Sequence, residues 1–558
     1  MVHFAGPLVT GPPALARRSI LDRALADETD FAQRLAQPFI VPLQLDEGLR
    51  VLTHGDDFSL PVNPVSSINT GHMHTPFFPS WRAQLAPMGA RLTQTLKRVS
   101  AYTLTQLEER FAPHLPPTLF PKAPAKANSR DRLYTRGRTF WSMLWQGFNP
   151  KASGREAVRQ IQALFDLHDG PNVSAEDGAY CRAQARLPLS EFPKALSATA
   201  QAADKLVPSA TWLQGRPVKL ADGSTFTAPD TPKNRQAYPP VHTPEPNFPM
   251  LRVLVFFSLL SGAILSLVSG DLRTAELPML YQLFSQLAPN EILIADRGFG
   301  NFVLLALLGH CKPGVDFIGR SARQVDGRRR LKRLGRDDWL VVWKKGTNPS
   351  PWLPEAIWLA LPKEITVRIV RGSCYVKGFR VRQVTLVTTL LDPQHYPARE
   401  ILQAYLRRWR LEMCLDDLKT TLGMEMLRSR SPEMLQKEIY AHLIAHNLLR
   451  CTMAHAATEH AVPLERISFK GTLDALRQFT QAISQARTKK KRSQLWAKLL
   501  RTMADDLVPE RPERREPRAV KRVKNKYPRL SKPPHLFKDR PKRSVRHTTA
   551  RLRKQVLK

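Results

Sequence analysis

ELPMLYQLFSQLAPNEILIADRGFG, residues 276–300, sets the fold class. The pattern over 275–287 predicts a helix, and a turn follows. Four apolar residues, Ile292 to Ala295, then read as a short buried strand that stops at Asp296. From Asn301 the text NFVLLALLGHC returns to a helical pattern. Strands alternating with helices build an α/β sheet, and an Asp at the carboxyl end of such a strand lies in the usual ligand crevice.

Upstream, RPVKLADGSTFTAPDTPKN (216–234) predicts a strand from Val218 to Ala221 that ends in Asp222 before Gly223. Taken alone, that ending reads as a plain Asp-Gly turn. Between the two segments lies LRVLVFFSLLSGAILSLVSG (251–270), which a hydropathy scan could take for a membrane span. Arg252, the break at Ser261-Gly262 and the β-branched and aromatic residues on either side of it favour two strands joined by a turn. Neither apolar half is long enough to cross about 30 Å of hydrocarbon. A strand at Val315 to Gly319 completes the order strand, strand, strand, helix, strand, helix, strand.

Further along, YLRRWRLEMCLDDLK (405–419) carries the chemistry. On a helix, steps of three, four and seven return to nearly the same side, so Tyr405, Arg408, Glu412 and Lys419 would share one stripe. Leu411, Leu415, Leu418 and Leu422 form a second, apolar stripe that would dock the helix. Tyr, Arg and Lys contact phosphate, whereas a carboxylate among them repels it unless a cation intervenes. The set points to a metal-dependent site acting on a nucleic-acid backbone. Its bland reading is an i,i+4 surface pair, Arg408 with Glu412, beside a capping aromatic.

These four residues resemble the Y-(2)-R-(3)-E-(6)-K motif of bacterial insertion-sequence transposases, in the family numbered four. The segments around Asp222 and Asp296 look like that family's first and second catalytic aspartate motifs. The resemblance, over roughly residues 130–530, implies a ribonuclease-H-like α/β core with Asp222, Asp296 and Glu412 as a DDE triad of catalytic metal ligands. Two Mg²⁺ ions are implied, with Mn²⁺ able to substitute; such a pair, about 3.5–4 Å apart, serves in-line displacement at phosphorus. Water would first free a 3′-hydroxyl at the element end, and that hydroxyl would then attack the opposite strand or target DNA. Arg408 and Lys419 would clamp backbone phosphates, Tyr405 would donate a hydrogen bond to one, and Arg297 is a further DNA-binding candidate. Asp230, Asp416 and Asp417 stand as fallback ligands. Implied partners are double-stranded DNA (terminal inverted repeats and target) and a second copy of the chain, in a homodimer or higher synaptic complex. A stand-alone metal-dependent DNA nuclease and a domesticated, non-catalytic DNA-binding protein are the alternatives.

Between Asp296 and Glu412 stand 115 residues, more than the connection needs. The excess is β-rich (DWLVVWKK, EITVRIVRG, FRVRQVTLVTTLL), with alternation that suggests antiparallel strands. In the family a β domain is inserted at this point. The basic run Arg320, Arg323, Arg328 to Arg330, Lys332 and Arg333 reads equally as a DNA track or a solvated loop. Trp339, Trp343, Trp352 and Trp358 read as core or interface residues, with base stacking as a lesser alternative.

Composition agrees with a polyanionic partner: 85 Lys and Arg against 48 Asp and Glu give a net charge of +37. Such charge attracts nucleic acid strongly and salt-sensitively without defining a sequence. Residues 511–558 hold 19 Lys and Arg and three acids, rich in Pro and without apolar period, as expected of a disordered phosphate-binding tail. The expected units are a weakly structured extension (1–75), a helical DNA-end-binding domain (76–205), the core in two parts (206–320 and 396–455) around the insertion (321–395), a helical region (456–510) and the basic tail. Cys181, Cys311, Cys374, Cys414 and Cys451 are dispersed without a CxxC pair, which fits a reducing cytoplasm better than a zinc ribbon or disulfide framework. His442 and His446 have metal-helix spacing but lack the Glu of HExxH, so they read as structural. No phosphate-binding glycine loop and no secretory signal is apparent.

Overall fold

The structure is a computed structural model and describes residues 110–119, 133–166, 172–240, 248–321, 330–373, 383–486 and 488–509. The extension at 1–75, the tail at 511–558, Cys374, Arg323, Arg328 and Arg329 lie outside the described residues.

Helices α1 (Arg136–Phe148), α2 (Gly154–Asp166), α3 (Gly178–Arg186) and α4 (Glu191–Lys205) precede the first strand. Strand β1 (Val218–Thr227) leads through α5 (Pro232–Ala237) to the hairpin β2 (Met250–Ser258) and β3 (Ile264–Asp271). Then come α6 (Glu276–Gln282), β4 (Ile292–Ala295), α7 (Phe302–Cys311) and β5 (Asp316–Arg320). Strands β6 (Arg330–Gly335) and β7 (Asp338–Lys344), α8 (Glu355–Ala360), β8 (Glu364–Ser373) and β9 (Gln383–Thr388) follow. Five helices close the described chain: α9 (Ala398–Leu406), α10 (Trp409–Asp416), α11 (Pro432–Glu459), α12 (Phe469–Gln485) and α13 (Lys489–Asp505).

Among the described residues the strands form one nine-stranded sheet, ordered β3-β2-β1-β4-β5-β9-β8-β7-β6. β4 runs parallel to both β1 and β5, and the other neighbours are antiparallel. Alternate residues of a strand face opposite sides. Leu220, Ile294 and Ile318 therefore join a core with Phe140, Leu448 and other residues of the helices on one face. Ala221, Leu293, Ala295 and Phe317 pack on the other face against Leu280 of α6 and Leu304 and Leu308 of α7. A parallel strand covered on both faces needs an unbroken apolar run, and all four residues of β4 are buried. Asn301 starts α7 by accepting the Leu304 N–H, a side-chain cap that ends the loop after Asp296.

Three local expectations change. β1 does not stop at Ala221: its ladder with β2 runs on from Asp222↔Val255 to Thr227↔Met250, so Asp222 sits within a strand. The partner's backbone groups stay paired along that length, and Gly223 makes no turn. The 405–419 stretch is not one helix but α9, a turn, α10 and a π-helical turn at Asp417–Thr421. The β-rich text after β5 returns to the sheet, with β9 pairing β5 from Ile318↔Thr388 to Arg320↔Leu386. The strand–turn–strand reading of 251–270 matches β2 and β3, and among the described residues no helix is long and apolar enough to cross a membrane.

Helix α11 is buried on nearly every side and ties the layers together. Its Asn447 accepts the Ile264 N–H at 2.7 Å and donates to the Ile264 carbonyl at 2.9 Å, to Leu196 O at 3.3 Å and to Thr199 at 3.2 Å. One buried amide thus joins β3 to α4. His446, the preceding residue, stacks on Phe469 with both ring nitrogens buried and unpartnered among the described residues. Burial pushes its imidazole down to about 3, so it stays neutral inside the core.

Candidate active site

The parallel ladder of β1 and β4 ends at Ala221↔Ala295, which brings Asp222 and Asp296 out side by side. From there β1 continues along β2, while β4 stops and the chain tightens into a 3₁₀ turn at Arg297–Phe299. The two strands lead to opposite halves of the sheet, so the crevice lies at a switch in strand order. Gly300 keeps this turn against β5, because a Cβ there would collide with the Arg320 carbonyl oxygen.

Helix α9 packs beside β5 and β8 and delivers Tyr405, which is 6% exposed. The Tyr405 hydroxyl lies 3.4 Å from Asp296 Oδ1. Burial, reinforced by the charge of Asp296, pushes the phenol up to about 12, so it remains a donor. After Leu406 the helix breaks: the Arg408 N–H donates to the Tyr405 carbonyl at 3.0 Å, and Arg408 becomes the N-cap of α10. Arg408 Nη2 donates to Glu412 Oε1 at 2.9 Å, and Nη1 stands 3.9 Å from Asp222 Oδ2. The guanidinium carbon is also 5.7 Å from the Tyr405 ring centroid, and Nε is buried without a partner among the described residues.

Asp222 is the perturbed acid. Burial pushes its carboxyl up to about 6, and the charges of Glu276 and Asp296 raise it further, while the Gly223 N–H and Arg408 pull it down. Glu276 was not singled out from sequence, since nothing local links it to Asp222. It opens α6, and its carboxylate lies so close over β1 that a Cβ at Gly223 would sit 2.6 Å from Oε1. Arg408 is the cation among these acids. Burial opposes its charge, but Tyr405, Glu412 and Asp296 hold the guanidinium above its ordinary value.

The π turn shifts the helical register after Asp416, with the Leu422 N–H reaching the Asp417 carbonyl at 2.9 Å. Lys419 consequently leaves the stripe of Glu412, and its Nζ lies 5.9 Å from the Phe226 ring near the end of β1. Arg297 is exposed and has no polar partner among the described residues. The fallback acids face elsewhere. Asp230 is paired with Arg235, bonding its Nη2 at 3.0 Å, and Asp416 is exposed. Asp417 is pushed up to about 7 by burial, against the charge of Arg450.

A profile of the transposase DDE domain matches residues 213–448, a span that encloses every residue of this crevice. Over 457 residues the chain is 26% identical to the transposase InsG for insertion sequence element IS4 of Escherichia coli (strain K12), covering 79% of this chain and 98% of that protein. The chain is thus similar over most of its length to an insertion-sequence-four transposase, and over its core to the transposase DDE domain. It is also 33% identical over 192 residues to the transposase for insertion sequence element IS421 of Escherichia coli and to the putative transposase InsL for IS186A of strain K12, covering 30% of this chain and 52% of each of those proteins.

The crevice offers hard oxygen donors with surplus negative charge where Asp222 and Asp296 emerge together, the donor chemistry that Mg²⁺ selects. The third carboxylate, Glu412, is held by Arg408 instead. Among the described residues no three Asp, Glu, His or Cys groups converge on one point.

Proposed function

We propose that this insertion-sequence transposase binds the terminal inverted repeats of its element and carries out strand cleavage and strand transfer, with Asp222, Asp296 and Glu412 as its divalent-cation ligands. The observation that carries the reading is the crevice where the ladder between β1 and β4 ends, at which two carboxylates emerge together and Arg408 links a third to them. The strand order β3-β2-β1-β4-β5, with three antiparallel strands and two parallel additions, supports a ribonuclease-H-like core. Bound Mg²⁺, or Mn²⁺ in its place, would activate the attacking oxygen and stabilise the departing one.

The chain's own groups supply positioning. Asp222 must lose its proton to act as a ligand, and burial, by raising its pKa to about 6, moves that loss up toward neutral pH. Arg408 is the hand-over element: in the DNA-free chain it neutralises Glu412 and stands against Asp222. An arriving phosphate offers the guanidinium a bidentate anion, which frees Glu412 to turn toward the two aspartates. Lys419 has no ion-pair partner among the described residues and is available for the next phosphate. Tyr405 keeps its proton and orients Asp296 through its hydroxyl. Two DNA ends require two copies of this site, hence a dimer or larger synaptic complex.

The test is Mg²⁺-dependent cleavage of a labelled duplex carrying the terminal repeats that flank the gene, with Glu412→Gln and a scrambled-end duplex as controls. Nicking at the repeat boundary by wild type alone supports the reading. End-specific binding by an assembled wild-type complex that never nicks would instead make this a non-catalytic DNA-binding protein.

A further inference from the structure

Apart from the carboxylate crevice, the molecule has a cleft of about 690 Å³ between the α1–α3 helices and the strap Leu422–Ser431 that leads into α11. Cations from separate segments rim it: Lys151 and Arg155 from the start of α2, Arg428 and Arg430 from the strap. Two carboxylates also line it. Glu438 is consumed by the main-chain N–H groups of Arg428 (3.0 Å) and Ser429 (2.9 Å), and Asp177 lies against Gly154. Arg155 stands 3.7 Å from Glu176, an exposed contact that neutralises little. Lys151 and Arg430 have no ion-pair partner among the described residues.

The cleft is built rather than incidental. Lys151 adopts φ 71°, a left-handed conformation that a non-glycine residue rarely takes. Across from it Gly423, at φ 69°, packs on Pro150. On the floor His442 donates from Nδ1 to the Glu438 carbonyl at 2.8 Å, which leaves Nε2 as an acceptor. The strap is anchored to the catalytic strand itself: Thr227 donates to Glu425 O at 3.1 Å and receives the Leu427 N–H at 2.9 Å. One wall of the cleft is therefore fixed five residues from Asp222, and the same strap begins just after Lys419.

We propose that this cleft seats one sugar-phosphate strand of the DNA as it leaves the catalytic carboxylates. The inference rests on the transposase reading and names a contact that the triad and the Tyr405–Lys419 motif do not include. A space of this volume belongs to the class that encloses a single small ligand. A duplex, whose major groove alone is about 12 Å wide, does not enter, but one of its backbones does. The unpaired cations match a phosphodiester, and the adaptable, part-exposed side chains of Met426 and Met434 accept sugar and base edges without sequence preference.

Cys181, which is exposed and lines the cleft, provides the probe, and Cys311 on α7 provides the reference. The full-length protein is bound to the element-end duplex with Ca²⁺ replacing Mg²⁺ to prevent cleavage, and alkylation by N-ethylmaleimide is followed by mass spectrometry. The expected result is loss of Cys181 alkylation on DNA with Cys311 unchanged. In addition, Lys151→Asn, which tolerates the left-handed backbone, combined with Arg430→Ala should lower the slope of log affinity against log salt by about 2. Unchanged Cys181 reactivity in an end-specific complex overturns the cleft assignment and leaves the transposase reading standing. Protection by inorganic phosphate alone, to the same extent as by DNA, also overturns it, since it would make the cleft a small-anion site. Absence of end-specific binding overturns both.

Discussion

The Arg408 guanidinium stands 3.9 Å from the Asp222 carboxylate while it holds Glu412 at 2.9 Å, so one cation occupies the space between two acids expected to share a metal. It is 13% exposed, whereas Glu412 is 40% exposed. Glu412 is thus the partner free to move.

A first prediction concerns that cation. Arg408→Ala should release Glu412 and raise the affinity of the DNA-free protein for Mn²⁺ while impairing end cleavage by about 10²-fold or more. Titration calorimetry of the metal in the absence of DNA is the check. Weaker metal binding in the variant would remove Arg408 as the group holding Glu412 away. Arg408→Lys should not restore cleavage, because an ammonium cannot make the bidentate contact.

Asp222 gives a pH dependence. Its folded value of about 6 lies above the ordinary 3.8 of an unfolded chain. Between roughly pH 4 and 6 the native state holds a proton that the unfolded chain has lost, so this group's contribution to stability falls as pH rises through that window. Above it the charged, buried form costs about 3 kcal/mol. Asp222→Asn should therefore stabilise the metal-free protein most at pH 8, with the gain closing toward pH 4, and should abolish cleavage. Denaturant melts at the two pH values decide it, and an equal gain at both would assign the effect to something other than the buried charge.

Tyr405→Phe keeps the ring against Arg408 and removes only the hydroxyl near Asp296. Stability should change by less than about 1 kcal/mol, since the bond is long and one acceptor remains solvated. Cleavage should fall modestly, through misplacement of Asp296 and not loss of DNA. Gel-shift affinity equal to wild type beside slower single-turnover nicking is the expected pair of results.

Asn447→Ala tests the scaffold. It would strip partners from the Ile264 N–H and carbonyl, both buried, at about 1–3 kcal/mol for each group left unsatisfied. A drop in the urea midpoint without a change in slope is the expected signature. Gly300→Ala should be comparably harmful for a different reason, since the new methyl meets a backbone carbonyl of β5 that cannot yield.

Local pattern revealed what local energetics decide. Ile292–Ala295 could be read as a strand because a doubly covered strand must be apolar throughout, and β2 and β3 were legible from the Ser261-Gly262 break. The extent of β1 was not, because its continuation past Gly223 depends on pairing with β2. The break between α9 and α10 was hidden as well. Its residues are ordinary helix formers, and the turn places Arg408 among Glu412 of its own helix and acids from two other segments. The residue types of the site were visible, but Glu276 beside Gly223 and the Lys151–Arg430 cleft exist only once distant segments meet.

The ladder between β5 and β9 has a consequence for how such a chain can diverge. Because β9 meets β5 at Leu386–Thr388, the chain leaves at Arg320 and returns at Leu386 through one fixed doorway. The chain runs from β9 into the helices that carry Glu412, and α9 also packs on β8, so only the outermost strands β6 and β7 can lengthen, shorten or be exchanged without moving a carboxylate. Variation in this lineage can therefore accumulate in the outer strands while the reacting groups stay where they are.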